Sequence, residues 1–329
     1  MAIIGIERLV FAVQDVSESA RFFDDFGLER DAVGVDGGVV FLLPEGSRVV
    51  LVPHGHAALP VGAKIEGDGV REVIWGVDTQ AALDRLTQGV GADRDIDLSD
   101  DGCARFLTDF GVPMGLRVFA KRPISCAPDP VNAPGHVARI NTHKKWRLRA
   151  RPKTLAHVVF AIAEFEAGYR FMVERLGFRL SDVQRGFGWY LRADGTNNHH
   201  SILLLNASAP LPGMDGRTRF EHANFGVEDV DEIMIGANEM VRKGWQPSHL
   251  GLGRHRVDSG LFYYLPCPAG GEAEYGADAD YVDDGWVPRD WTNPLFGYAH
   301  YVHNLPPFLM NEPDWRFSYI TGIEPGDAH

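Results

Sequence analysis

The chain has 329 residues, 45% of them hydrophobic and 23% charged, with 32 Lys and Arg against 45 Asp and Glu and a formal net charge of −13. This is a globular composition, long enough for two domains. Its acidity argues against nucleic acid and anionic lipid as partners, because like charges repel. No run of roughly 18 apolar residues is present to span a bilayer.

The N-terminus, MAIIGIERLVFAVQDV, places Glu7 and Arg8 inside its apolar stretch and lacks a basic start. It therefore reads as a first strand rather than a signal peptide. The cysteines Cys103, Cys126 and Cys267 are far apart without CxxC spacing, which excludes a disulfide scaffold or cysteine-rich zinc site and fits a reducing cytoplasm.

After the first strand, the stretch from Val16 through Arg21, Phe22, Phe23 and Phe26 to Gly27 reads as an amphipathic helix closed by glycine. Gly38 to Leu42 and Arg48 to Val52 read as strands. His54 and His56 flank Gly55 and read as surface-loop histidines rather than a metal clip. A further strand ends in IWGVDT (Ile74 to Thr79), followed by a helical stretch at Ala81 to Leu86.

The segment Lys121 to Lys153 contains Pro123, Pro128, Pro130, Pro134 and Pro152, with Lys144, Lys145, Arg147, Arg149 and Arg151 around Trp146. It reads as a solvated linker that partly offsets the acidic surface, with an anion or partner patch as the alternative.

Beyond it the pattern repeats. VFAV at Val10 to Val13 returns as VFAI at Val159 to Ile162, again before a helical stretch, Phe165 through Tyr169, Phe171 and Met172 to Gly177. Gly188 to Leu191 and Ser201 to Leu205 match the earlier strands, and NFGVED at Asn224 to Asp229 matches IWGVDT and precedes a helix at Val230 to Val241. A repeat on this scale sets the architecture. The expectation is an α+β fold of four βαβββ modules paired into two similar domains, each with a partly closed β-barrel. Residues 1–120 form the first domain, 121–153 the linker, 154–282 the second domain and 283–329 an aromatic-rich tail.

Only the second half carries histidines at equivalent places: His157 before VVFAI and His222 before ANFGV, where the first half has Arg8 and Glu72. Module symmetry would bring their two strands together. A third ligand is available in LFYYLPCPAGGEAEYG, whose second strand carries Glu272 and Glu274. Two residues apart on a strand, they share a face, so periodicity leaves both open. Two imidazoles and one carboxylate are the pattern of non-haem Fe(II) oxygenases.

These motifs resemble the vicinal oxygen chelate superfamily and, within it, the type I extradiol ring-cleaving dioxygenases, across roughly residues 1 to 120 and 155 to 280. The resemblance implies His157, His222 and Glu274 as metal ligands. It selects Glu274 through the PxGxxxE-type stretch Pro268 to Tyr275 (PAGGEAEY), and it implies a first domain without metal. It also covers His199-His200 in NNHHSILLL, His255 in GLGRH, and Tyr264, which precedes Glu274. By resemblance, His200 handles protons beside bound oxygen, and His255 and Tyr264 hydrogen-bond the substrate oxygen. His199 is expected to point the other way on the strand, as a structural residue or one that supports the site from behind its ligands, with Asn197, Asn198 and Asp258 near the rim. The sequence departs from many relatives after GRH, continuing Arg256-Val257-Asp258 where they have Thr-Asn-Asp.

The implied reaction is cleavage of a catechol-type ring by O2 using Fe(II), with Mn(II) accepted by the same ligands, in a cytoplasmic homo-oligomer. Other readings are a hydroquinone or trihydroxybenzene ring-cleaving enzyme, a glyoxalase-type isomerase or lyase, and a non-catalytic ligand-binding module. The tail, with Trp286, Trp291, Phe296, Tyr298, Tyr301 and Phe308, reads as a lid over the substrate, as packing against a neighbouring subunit, or as packing against the barrel exterior.

Overall fold

The structure is a computed structural model that describes residues 2–210, 214–292, 298–311 and 314–320. Its elements follow one repeating order. The first module is β1 (Ile3–Val13), α1 (Val16–Phe26), β2 (Glu29–Arg30), β3 (Val39–Leu42) and β4 (Arg48–Pro53). The second is β5 (Gly69–Val77), α2 (Gln80–Val90), β6 (Asp97–Leu98), β7 (Ala104–Leu107) and β8 (Pro113–Val118). The third is β9 (Thr154–Ile162), α3 (Phe165–Arg170), β10 (Arg179–Gln184), β11 (Gly188–Arg192) and β12 (Ile202–Asn206). The fourth is β13 (Arg219–Gly226), α4 (Val230–Arg242), β14 (Gly253–Arg254), β15 (Leu261–Pro266) and β16 (Glu272–Ala277). Three short tail strands follow: β17 (Arg289–Trp291), β18 (Tyr301–Val302) and β19 (Phe317–Tyr319). The α+β class and the four βαβββ modules are thus as the repeat predicts.

Local chemistry explains the helix boundaries. Asp15, Thr79 and Asp229 sit in extended backbone just before α1, α2 and α4 and accept hydrogen bonds from the amides of Glu18, Ala82 and Glu232, relieving unpaired donors at each helix start. Gly27 ends α1 at φ 110°, where a Cβ would lie 2.3 Å from the Ala150 carbonyl oxygen, so only glycine lets the linker's end close against this cap. The single helix expected from Phe165 to Gly177 is split: α3 stops at Arg170 and Phe171–Arg175 winds as one π-helical turn.

Each half forms one continuous sheet. The first runs β2-β3-β4-β1-β5-β8-β7-β6, and the second runs β18-β14-β15-β16-β13-β9-β12-β11-β10-β17-β19. In both, the first strands of the paired modules lie antiparallel at the centre, β1 on β5 and β9 on β13. The tail adds strands at both ends of the second sheet, with β17 parallel on β10 and β18 on β14. It therefore runs from one edge of that sheet to the other and back. Trp291 is buried and Trp286 donates to the Ser181 carbonyl. Phe296 lies outside the described residues.

The halves share one core. Phe26 of α1 stacks on Tyr275 of β16 at 4.0 Å between centroids and 4° between planes, and the Tyr275 hydroxyl donates to the Phe26 carbonyl at 2.6 Å. Phe22 meets Trp245, and Phe106 and Phe110 meet Phe171. The first half thus braces the strand that carries Glu274. Replacing fully buried Phe26 by alanine is expected to cost about 3–5 kcal/mol of folding stability, read as a lowered urea midpoint. A loss below about 1 kcal/mol would mean that the interface relaxes around the cavity.

The linker differs from a simple solvated tether. Lys144 pairs with Asp231, Lys145 with Glu228, Arg147 with Glu228 and Asp229, and Lys153 with Glu232. Its cations are therefore held at the acidic start of α4, where carboxylates also favour the helix dipole. His54 bonds Asp68 at 2.6 Å and His56 bonds the Asp36 carbonyl at 2.8 Å, so the two imidazoles do not converge. Among the described residues, no helix is long and apolar enough to cross a membrane.

Candidate metal centre

Strand register explains why distant residues meet. His157 on β9 lies opposite Asn224 on β13, Asn224 lies opposite Glu274 on β16, and Glu274 lies opposite Tyr264 on β15. One row across four strands thus carries a candidate ligand at each of two positions and a phenol at its end. His222 lies two residues before Asn224, on the same face of β13. Nε2 of His157 lies 3.4 Å from Nε2 of His222, and Oε2 of Glu274 lies 3.2 Å and 3.4 Å from those two nitrogens.

This triangle fits a metal ion. Ligand atoms about 2.1 Å from a common ion are about 3.0 Å apart at a right angle and about 3.4 Å apart at the tetrahedral angle. Glu274 is 1% exposed, and its Oε2 is buried with no hydrogen-bond partner. A carboxylate oxygen is costly to leave unpaired, unless something else coordinates it. Burial pushes the Glu274 pKa up, but the imidazoles of His157, His255 and His222 around it outweigh that and hold the group ionised. Burial pulls His222 down to about 3, against the attraction of Glu274, so its imidazole is neutral and able to ligate.

Glu272, the alternative that strand periodicity leaves open, is placed differently. Its carboxylate lies 3.5 Å from Nδ1 of His249, and burial together with Glu221 and Glu274 raises its pKa to about 7.

The other expected site residues surround the triad. The His200 ring lies 4.1 Å from that of His157, centroid to centroid. Nε2 of His255 lies 3.1 Å from the Tyr264 hydroxyl and 3.8 Å from Oε1 of Glu274. Burial, with the charge of Glu274 and the nearby Tyr298, drives the Tyr264 phenol well above its ordinary pKa, so it keeps its hydrogen. Burial opposes the charged form of His255, but Glu274, Asp258 and the Tyr298 carbonyl raise its pKa overall. Burial and four neighbouring imidazoles keep His200 neutral.

His199 is buried behind His200: its Nδ1 faces Nδ1 of His200 at 3.2 Å and its Nε2 meets Asp182 at 3.0 Å. Asn198 and Asp258 line the cavity beside the triad, whereas the Asn197 amide is bonded to the Val282 carbonyl. Asp258 also comes within 3.8 Å of Nδ1 of His200. Asp182, which the sequence did not single out, bonds His199, and Tyr298, read from the sequence only as one of the tail aromatics, bonds His255 through its carbonyl. The cavity has a volume of about 1190 Å³ and runs from the triad to a wall of linker residues including Ile124, Cys126 and Val131.

The same register explains the first half. Arg8 lies opposite Ile74 on β5, and Ile74 opposite Gly115 on β8. The places of His157, His222 and Glu274 are therefore taken by Arg8, Glu72 and Gly115. Glu72 is buried and paired with Arg105 at 3.0 Å, while Arg8, Arg48 and Arg117 surround buried Glu7. The position holds an ion network in place of a ligand set.

No family model matches the chain. It is 32% identical over 145 residues to metapyrocatechase 2 of Cupriavidus necator, covering 44% of this chain and 42% of that one. It is 33% identical over 166 residues to an iron-dependent extradiol dioxygenase of Rhodococcus jostii strain RHA1, covering 46% and 53%. The matched stretches span about half the length of these curated relatives. A halotolerant catechol dioxygenase, BphC, superposes with a TM-score of 0.69 at 18% identity over 97% of this chain and 99% of that one. The chain has the vicinal oxygen chelate fold of the type I extradiol dioxygenases. That fold also carries other chemistry: a Mn(II)-bound glyoxalase of Novosphingobium aromaticivorans superposes with a TM-score of 0.67 at 21% identity, over 88% of each chain. Within the vicinal oxygen chelate fold, the reaction must therefore be argued from the site.

Proposed function

We propose that the chain is an Fe(II)-dependent extradiol dioxygenase, with His157, His222 and Glu274 as metal ligands and His200, His255 and Tyr264 as catalytic residues. The observation that carries this reading is the clustering of all six: the three ligand atoms lie 3.2–3.4 Å apart, His157, His200, His255 and Glu274 line one cavity, and the Tyr264 hydroxyl lies 3.1 Å from Nε2 of His255. The named relatives, which include an iron-dependent extradiol dioxygenase, support the same assignment. A glyoxalase-type isomerase or a ligand-sequestering module would leave His200, His255 and Tyr264 without work. Mn(II) suits the same ligands.

The balanced reaction joins one catechol and one O2, breaks the ring C–C bond beside the paired hydroxyls, and retains both oxygen atoms in the ring-opened product. Bound Fe(II) supplies electron transfer and a common anchor for both reactants. The protein's part follows from its own atoms. Glu274 and two neutral imidazoles leave one net positive charge with a divalent ion, which favours a catecholate over a neutral diol. Tyr264, protonated in its buried place, points its one hydrogen at Nε2 of His255 and offers its oxygen as an acceptor to the substrate phenol. His255 holds the Tyr264 hydroxyl through Nε2. His200 accepts or returns a proton on the opposite side of the triad.

The cavity of about 1190 Å³ exceeds what one unsubstituted ring fills, so a substituted or multi-ring catechol is the expected substrate. A cytoplasmic location belongs to the same reading, supported by the free thiols Cys103, Cys126 and Cys267, and a homo-oligomer is the assembly that goes with it.

The test is anaerobic Fe(II) loading followed by O2 uptake with catechols, 2,3-dihydroxybiphenyl, hydroquinones and trihydroxybenzenes. Stoichiometric uptake with a catechol, and a yellow ring-opened product, is expected. Uptake with hydroquinones alone would move the cleavage to another ring pattern. Full iron loading without uptake on any of them would sink the dioxygenase.

A further inference from the structure

The tail makes two contacts that the proposed chemistry does not use. At one edge of the second sheet, Arg289 on β17 meets the fully buried Asp182 on β10. Its backbone amide donates to Oδ1 at 2.8 Å, its Nε donates to Oδ1 at 3.0 Å, and its Nη2 donates to Oδ2 at 2.5 Å. The guanidinium packs on Trp286 and Trp291, which hold it in place. Oδ2 of Asp182 also meets Nε2 of His199 at 3.0 Å. At the other edge, the Tyr298 carbonyl meets Nδ1 of His255 at 2.7 Å.

Hydrogen-bond direction then fixes where each hydrogen sits. A carboxylate or carbonyl can only accept. Nε2 of His199 therefore carries a hydrogen, and with one hydrogen on the ring its Nδ1 is an acceptor. The atom facing it, 3.2 Å away, is Nδ1 of His200, and that nitrogen must donate. Asp258 lies 3.8 Å from the same nitrogen, too far for a hydrogen bond but on the side where its charge favours a hydrogen there. Nδ1 of His255 must likewise carry a hydrogen. In both catalytic histidines the nitrogen that remains for chemistry is Nε2.

We infer that the C-terminal tail is a positioning element that sets the tautomers of the catalytic histidines, through Arg289–Asp182–His199 for His200 and through the Tyr298 carbonyl for His255. Asp182 and His199 are positioning residues, since neither is needed to touch the substrate. The inference builds on the proposed role of His200 as proton acceptor: a ring with its hydrogen on Nε2 could not accept there. An aspartate that holds a histidine in one tautomer is a general device of proton-transfer sites, and here the tail supplies the cation that keeps that aspartate in place.

The test is long-range 1H–15N correlation spectroscopy on full-length, 15N-histidine-labelled, Zn(II)-loaded protein, alongside iron content and steady-state kinetics of the Fe(II) form. The wild type should show hydrogen on Nε2 of His199 and on Nδ1 of His200 and His255. In Asp182→Asn, Arg289 still donates to the amide oxygen. The amide nitrogen then faces His199, strips the hydrogen from its Nε2, and moves that of His200 to Nε2. kcat should fall at least about tenfold, a share of the ~10²–10⁴ that general acid–base catalysis supplies, with iron content unchanged and KM within about twofold. His199→Phe, which removes the acceptor, should give a mixed His200 tautomer and a similar fall in kcat.

Hydrogen on Nε2 of His200 in the wild type would overturn the inference even if neither variant folds. An unchanged His200 tautomer in a folded Asp182→Asn protein would overturn it as well. If the tautomers are as assigned but the wild type consumes no O2 with any dihydroxylated ring, the positioning stands and the reaction falls. An active enzyme with the wrong tautomer gives the converse.

Discussion

Glu274→Gln is expected to cost the protein its iron. The carboxylate is the one anionic member of the triad, and its Oε2 faces both imidazole nitrogens with no hydrogen-bond partner of its own. Glutamine keeps the shape but offers a neutral amide oxygen, and in half of its orientations a donor N–H that repels a cation. Altering residues that merely orient ligands typically costs 10–100-fold in metal affinity, so loss of a charged ligand should exceed about 100-fold. The measurement is anaerobic Fe(II) titration, with iron quantified after desalting. Folding should survive, because a neutral amide is cheaper to bury unpaired than a carboxylate. Glu272→Gln is the matched control: its carboxylate faces His249, so iron should remain. Iron bound at wild-type affinity in the Glu274 variant, or lost in the Glu272 variant, would reverse the choice between them.

The second large effect is expected on turnover with the metal still bound. His200→Phe should lower kcat by about 10²–10⁴, the range that a positioned proton-transfer group contributes, with iron content close to that of the wild type. The reason is geometric. The His200 ring packs on that of His157 at 4.1 Å, and phenylalanine preserves an aromatic ring there, so the ligand's orientation is retained while the exchangeable nitrogen is removed. O2 uptake and bound iron, measured on the same sample, separate the outcomes. Iron loss would mean that His200 helps to hold the metal, and unchanged kcat would remove it from the reaction.

Much of this site is readable from residue order because its ligands sit on repeated strands. VFAV and VFAI set the module register, and that register put His157 and His222 on equivalent strands. Parity on β16 could not separate Glu272 from Glu274, since both side chains share a face; the structure separates them by what each carboxylate meets. Other features leave no such trace. Tyr298 acts through a backbone carbonyl, which any residue at that position would supply. Asp182 and Arg289 meet 107 residues apart in sequence, through a parallel pairing of β10 with a three-residue strand. Gly115 becomes meaningful only once β8 is aligned on β5. The linker's basic run suggested a solvated tether because composition reports charge without its partners, here the carboxylates at the start of α4.

The ion network around Arg8 and Glu72 also limits what the first half can hold. Arg105 pairs with buried Glu72 at 3.0 Å, so a cation placed there would meet a positive charge where an ion should sit. A single ligand introduced across the strands, such as Gly115→Glu, would therefore not create a site while that arginine stays, and the first half serves as the wall against which β16 is held.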